Sequence, residues 1–267
     1  NQKGFKMARI YPLFSSSKGN SYFIGPEKGG ILIDCGVSFR KLSSALDKNR
    51  IPLNAIQAVF ITHEHSDHIS GLKMLTQKTG IPVYSTKKTL RKLCDDDKIS
   101  SNSPVIEMKN TIVCADMEIK KFSISHDAIE PCGYKIHTND DKYCAICTDT
   151  GCITPEADRE LIGCKMVLIE SNYDENMLRR GNYPLYLKKR ILSDKGHLSN
   201  DDCALQVGKL IKHGTTHIVL GHLSQENNTP SCAFGTVRKF LDKKYVFEKD
   251  YIMGVAPKET MGGAVIF

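Results

Sequence analysis

The heptapeptide Thr62–His68, THEHSDH, carries three histidines and two acidic residues directly behind the apolar run AVFI. Imidazole and carboxylate at this density suit one or two borderline divalent ions. On a loop that follows a strand, the spacings among His63, His65, Asp67 and His68 let neighbouring side chains reach two adjacent ions.

Further along, the tetrapeptide GHLS occurs at Gly196–Ser199 and again at Gly221–Ser224, only 25 residues later. The first copy runs into SNDDCALQVGKLIKHG, where Ser199 or Asn200 can cap a helix and Asp201 and Asp202 fill its first turn. A helix N-terminus suits a phosphate group, and His197 beside it can donate a proton. Ser199 and Asn200 are therefore candidate phosphate contacts. Near the start, FSSSKGNS (Phe14–Ser21) reads either as a plain hairpin turn or as an anion loop in which Ser17 and Asn20 contact phosphate. The C-x-x-C pair Cys144 and Cys147 lies in the strand-like run KYCAICT. Residues three apart on a strand face opposite sides, so this pair is expected to pack rather than to chelate.

These residues need a scaffold that ends strands at the right places. ARIYPLF, SYFIG, GGILIDCG and IQAVFITH read as strands, and ISGLKMLTQKTG as a helix with Ile69, Leu72 and Leu75 on one face. IPVYS, TIVCA, MEIKKFSI, CGYKIHT and KYCAICT continue the strands. TPEADRELIG, KMVLIES, YPLYLKKRIL, NDDCALQVGKLIKHG and THIVLGH then alternate helix and strand. The pattern predicts two β-rich halves, each ending in helices, packed as one domain.

Composition sets the limits. Of 267 residues, 40% are hydrophobic and 25% charged, which excludes a disordered chain. No run approaches the roughly 18 apolar residues of a membrane span, and no signal-peptide pattern opens the chain. The opening NQKGFK is expected to be an extension (residues 1–6) outside a domain of residues 7–267. Ten cysteines without a secretory signal predict reduced thiols in a cytoplasm. The net charge of +7 suits a polyanionic partner. Basic clusters stand at Lys87–Lys88 with Arg91–Lys92, at Arg179–Arg180 and at Lys188–Lys189–Arg190, as solvated helix faces or as a binding surface.

His63, His65, Asp67 and His68 form an intact H-x-H-x-D-H motif, and here the sequence resembles the metallo-β-lactamase superfamily. The other family motifs follow in order: Asp34 in ILIDCG, His126 in SISHDA, Asp149 in CTDTG and His222 in VLGHLS, over about 190 residues. The resemblance implies an α/β metallo-β-lactamase fold, a four-layer αβ/βα sandwich of two mixed β-sheets flanked by helices. It implies one ion on His63, His65, His126 and Asp149, and a second on Asp67, His68, Asp149 and His222. Asp34 would brace the metal loop without ligating. Zinc, manganese and iron all suit this set, since no soft thiolate selects among them. Aspartate at the bridging position, where β-lactam-hydrolysing members typically carry cysteine, points away from that activity.

The stretch VLIESNYDEN…GHLSNDDCA…HIVLGHLS is similar to that around the catalytic Glu–His pair of RNase Z-type phosphodiesterases. That likeness assigns Glu170 and His197 to the pair, with Asp67 orienting a hydroxide held between the ions. The S-S-x-G-N, DCG and GHLSN elements together resemble the bacterial YycJ/WalJ-like branch, metal-dependent exonucleases linked to DNA repair. Ser16 and Lys18 depart from that branch's usual SGSSGN. The resemblance implies a 5′–3′ exonuclease with DNA favoured over RNA. Only 48 positions separate Asp149 from His197, too few for the large inserted cap of RNase J-like relatives. A glyoxalase II-like thioester or lactone hydrolase and a small-molecule cyclic phosphodiesterase share the metal ligands and are the competing readings.

Overall fold

Period-two alternation sets the architecture. In the strand Gly30–Ile33, Ile31 and Ile33 enter one apolar cluster and Leu32 another, all three fully buried, so this sheet is covered on both faces. The computed structural model describes residues 8–109 and 111–267; the extension expected at residues 1–6 lies outside them.

The first part of the chain runs β1 (Arg9–Ser16), β2 (Gly19–Ile24), β3 (Gly30–Ile33), α1 (Phe39–Lys48), β4 (Ile56–Phe60) and α2 (Ser66–Ile69). It continues with α3 (Leu72–Thr79), β5 (Val83–Ser85), α4 (Lys87–Asp95) and β6 (Val105–Glu107). The second part begins with β7 (Ile112–Cys114), β8 (Met117–Ser123), β9 (Cys132–His137), β10 (Tyr143–Cys147), α5 (Pro155–Leu161) and β11 (Met166–Glu170). Then come α6 (Glu175–Arg180), α7 (Leu185–Ile191), α8 (Asn200–Lys212), β12 (His217–Gly221), α9 (Pro230–Leu241), β13 (Ile252–Val255) and β14 (Val265–Ile266).

Two seven-stranded mixed sheets result, ordered β14-β1-β2-β3-β4-β5-β6 and β13-β12-β11-β10-β9-β8-β7. Ile33 and Phe60 from the first sheet meet Tyr134, Ile146 and Leu168 from the second in a shared inner core. On the outer faces, Leu42, Leu75 and Leu90 cover the first sheet, and Ala157, Val207 and Val237 cover the second. This is the four-layer order expected. Cys144 joins the inner cluster and Cys147 the outer one, so strand alternation sends the C-x-x-C pair to opposite faces.

Two expectations need correction. The helix read over ISGLKMLTQKTG is broken: α2 stops at Ile69 and α3 starts at Leu72. Gly71 sits between them, where an added Cβ would lie 2.1 Å from the carbonyl oxygen of Val37. The second half also does not end in a helix: after α9 come β13 and β14, and β14 returns to pair with β1 (Arg9↔Ile266, Ile10↔Val265), so the last strand completes the first sheet.

Candidate metal centre

The parallel strand pairs β3–β4, β10–β11 and β11–β12 all end at one edge of the sandwich. Asp34 follows β3, the THEHSDH loop follows β4, Asp149 follows β10, Glu170 ends β11, and His222 follows β12. Carboxyl ends of parallel strands are where open α/β sheets place ligands. Three of these residues turn the chain in the left-handed region: Asp34 (φ 59°), Asp149 (φ 58°) and His222 (φ 52°). Non-glycine residues seldom adopt that conformation, and such strain gathers at functional sites.

The side chains converge in two adjoining groups, His63–His65–His126 and Asp67–His68–Asp149–His222. His126 Nε2 lies 3.3 Å from His65 Nδ1. Asp149 stands between the groups, with Oδ2 3.2 Å from His68 Nε2 and Oδ1 3.3 Å from His222 Nε2 and 3.9 Å from His126 Nε2. Asp67 Oδ2 is 3.5 Å from both His68 Nε2 and His222 Nε2.

Four of these five imidazoles are oriented by a partner on the other nitrogen. His68 Nδ1 donates to Asp34 Oδ2 at 2.8 Å, and the same carboxylate accepts from the Thr62 amide and hydroxyl. His63 Nδ1 faces Thr62 Oγ1 at 3.0 Å, and His126 Nδ1 donates to the Gly196 carbonyl at 3.1 Å. Gly196 reaches there because it has no side chain: a Cβ would stand 2.2 Å from the Ile191 carbonyl oxygen. His222 Nδ1 donates to Glu170 Oε1 at 2.9 Å, and its backbone is held by Ser15 Oγ and Asn172 Nδ2. Partners of this kind fix the tautomer and leave the inner nitrogen free to ligate.

Charge and burial fit a cation. Asp34, Asp149 and Glu170 are buried, and unpaired buried carboxylates are costly. Burial opposes ionisation of Asp149, yet His222 and His68 hold it well below the usual carboxylate range. Burial and then His68 hold His63 well below the usual imidazole range. Among the described residues, His63 Nε2 is buried without a hydrogen-bond partner, and Asp149 Oδ2 forms no well-aligned hydrogen bond despite the approach of His68 Nε2 at 3.2 Å. Two such atoms facing a ring of oriented ligand atoms are what a divalent ion would satisfy.

His197 lies beside this set, with Nδ1 2.8 Å from Glu170 Oε1 and 4.0 Å from Asp149 Oδ1. Glu170 Oε2 accepts from the Thr150 and Leu198 amides. Burial opposes its ionisation, but His197 and His222 lower its pKa. His65, Asp67, His126, Asp149, His197 and His222 open into one cleft of about 190 Å³, bordered by Ser17, Tyr183, Leu187 and Arg190.

The four expected phosphate contacts have different surroundings. Ser17 borders the cleft. Asn20 does not present its amide to solvent; it is fully buried and lies against Ser16 O (3.0 Å), His68 Nε2 (3.1 Å) and Asp67 Oδ2 (3.4 Å), bracing the metal loop. Asn200 is equally buried, tied to Ser171 Oγ and Asn228. Ser199 caps α8 by accepting from the Asp202 amide, and its hydroxyl donates back to the Asp202 carboxylate. The bracing roles of Thr62, Ser15 and Asn172 are not anticipated from sequence, although Thr62 stands inside the motif and Ser15 inside FSSSKGNS; Arg190 reads there only as part of a basic cluster, and the structure puts it at the cleft.

A sequence model described as the β-lactamase superfamily domain matches residues 30–222, the stretch that carries every one of these ligands. The chain belongs to the metallo-β-lactamase superfamily. Exodeoxyribonuclease YycJ of Bacillus anthracis is 36% identical over 237 residues, covering 87% of this chain and 88% of that protein. Exodeoxyribonuclease WalJ of Streptococcus pneumoniae serotype 2 is 39% identical over 230 residues, covering 84% and 85%. Among solved structures, the metallo-β-lactamase fold protein YhfI of Bacillus subtilis is similar at a TM-score of 0.69. It is 14% identical, with 96% of this chain and 98% of that chain covered, which carries the fold. The superfamily fold and the His/Asp groups together make this a divalent-metal-binding chain.

Proposed function

We propose that this superfamily member is a dinuclear metal-dependent exonuclease that hydrolyses DNA phosphodiesters from the 5′ end. The observation that carries the reading is the Glu170–His197 pair, 2.8 Å apart and opening into the same cleft as the metal-ligand groups. A thioester hydrolase needs only the metal ligands; an imidazole steadied by a buried carboxylate serves a reaction with a poor leaving oxygen. The names of the two curated relatives support DNA as the substrate. Among the described residues, no helix is long and apolar enough to cross a membrane. All ten cysteines are free thiols, which suits a reducing cytoplasm.

His63, His65, His126 and Asp149 would hold one ion, and Asp67, His68, Asp149 and His222 the other. Zinc and manganese match these nitrogen and oxygen donors best, and iron also suits them. Bound there, such cations supply an activated water near neutral pH and neutralise charge on a phosphoryl oxygen. The chain's own residues do the rest. Asp67 accepts a hydrogen bond from the attacking water and aims it. Glu170 Oε1 holds the Nδ1 proton of His197, which leaves Nε2 to deliver a proton to the departing oxygen.

End-labelled single- and double-stranded DNA and RNA, beside a glutathione thioester, test the reading with manganese- or zinc-loaded protein. Release of 5′ mononucleotides from DNA is expected. Consumption of the thioester with DNA intact would replace the nuclease by a glyoxalase II-like hydrolase.

A further inference from the structure

The segment Tyr183–Arg190, YPLYLKKR, forms one wall of the metal cleft and holds two tyrosines, two leucines and three cations without an acid. Its inward side chains are accounted for: Tyr183 and Leu187 pack on Tyr173, Leu178 and Ile191. Its outward side chains are not. Leu185 is 75% exposed and Tyr186 74%, beside Lys189. Tyr186 and Arg190 stand four residues apart on α7 and so share a helix face one turn apart. Arg190 borders the cleft, and Asp127, next to the ligand His126, grips its guanidinium through Nε and through Nη2 at 3.0 Å.

We propose that this face of α7 is a guide for single-stranded DNA, in which Tyr186 stacks a base and Arg190 holds the backbone phosphate beside it. The inference rests on the nuclease reading above. Three features choose the occupant. The cations match a polyanion: Arg190 is paired with Asp127 and Lys188 donates to the Arg179 carbonyl, while Lys189 stands exposed, and the segment itself carries no acid. An exposed tyrosine ring one turn from an arginine reproduces the stacking platform with a charged track by which proteins hold single strands. The cleft bordered by Tyr183, Leu187 and Arg190 also holds Asp67, His197 and His222, so a strand tracked along α7 would bring its end to those groups.

The test measures fluorescence anisotropy of metal-loaded protein with nuclease-resistant phosphorothioate strands, one bearing bases and one abasic at equal length. The native protein should bind the base-bearing strand about 5- to 100-fold more tightly, the size of one stacking contact. Tyr186→Ala should bring the two strands to equal affinity, and Tyr186→Phe should restore the difference. A Tyr186→Ala protein that keeps the full preference for bases overturns the guide while leaving the nuclease reading intact. Native protein that binds neither strand and releases no nucleotide from ordinary DNA overturns both.

Discussion

His197 and His222, the histidines of the two GHLS copies, point their Nδ1 atoms at the same oxygen of Glu170, at 2.8 and 2.9 Å, with ring centroids 5.3 Å apart. One buried carboxylate thus orients both the proposed metal ligand His222 and the proposed proton donor His197. The repeat is a pair of strand-end and helix-start positions brought to a common anchor.

That sharing separates two variants. Glu170→Ala should weaken metal binding about 10- to 100-fold, the usual effect of losing a ligand's partner, and slow turnover as well. His197→Ala should retain metal while turnover falls about 10²- to 10⁴-fold. Metal titration with parallel rate measurement checks both. Loss of metal in His197→Ala would make that residue a ligand, a role its place near Asp149 and His222 would also permit.

Asn20→Ala removes an amide that lies against Ser16, Asp67 and His68 and an oxygen that accepts from Tyr22. Leaving those buried groups unpaired should cost about 1–3 kcal/mol. Urea unfolding of the metal-free chain should show the loss, together with lower metal affinity. An exposed phosphate contact would instead leave stability within about 0.5 kcal/mol of the native value.

Two glycine substitutions should act in opposite directions. A Cβ at Gly36 would lie 1.6 Å from the Asp67 carbonyl oxygen, so Gly36→Ala must displace the metal loop and reduce metal content. A Cβ at Gly235 in α9 meets nothing within 4 Å, and Gly235→Ala should stabilise by about 0.5–1 kcal/mol through helix propensity. Thermal unfolding and metal analysis of both proteins compare the outcomes.

Arg190→Gln removes one phosphate-seeking charge at the cleft. The slope of log binding constant against log salt for single-stranded DNA should shrink by about 0.7, one ion's worth. An unchanged slope would confine Arg190 to its bond with Asp127.

The convergence of these histidines and aspartates could be anticipated because the superfamily motifs stand in order in the sequence, each behind an apolar run. THEHSDH follows β4, TDTG follows β10 and GHLS follows β12, so a motif after an apolar run already names an edge of the sheet. The buried amides could not be read that way. Asn20 and Asn200 sit where turn and cap signals suggest exposure, and their partners come from residues such as Asp67 and Asn228, distant in the chain. The return of β14 to β1 was equally hidden, since a two-residue strand carries too little periodicity to name its partner.

The most direct test of the two-ion centre is calorimetric titration of metal-stripped protein with manganese or zinc, for the native chain and for Asp149→Ala. The account predicts two ions per native chain and the loss of both high-affinity sites when their shared carboxylate is removed. A folded native chain that takes up no divalent ion, or an Asp149→Ala chain that still binds two, would contradict it.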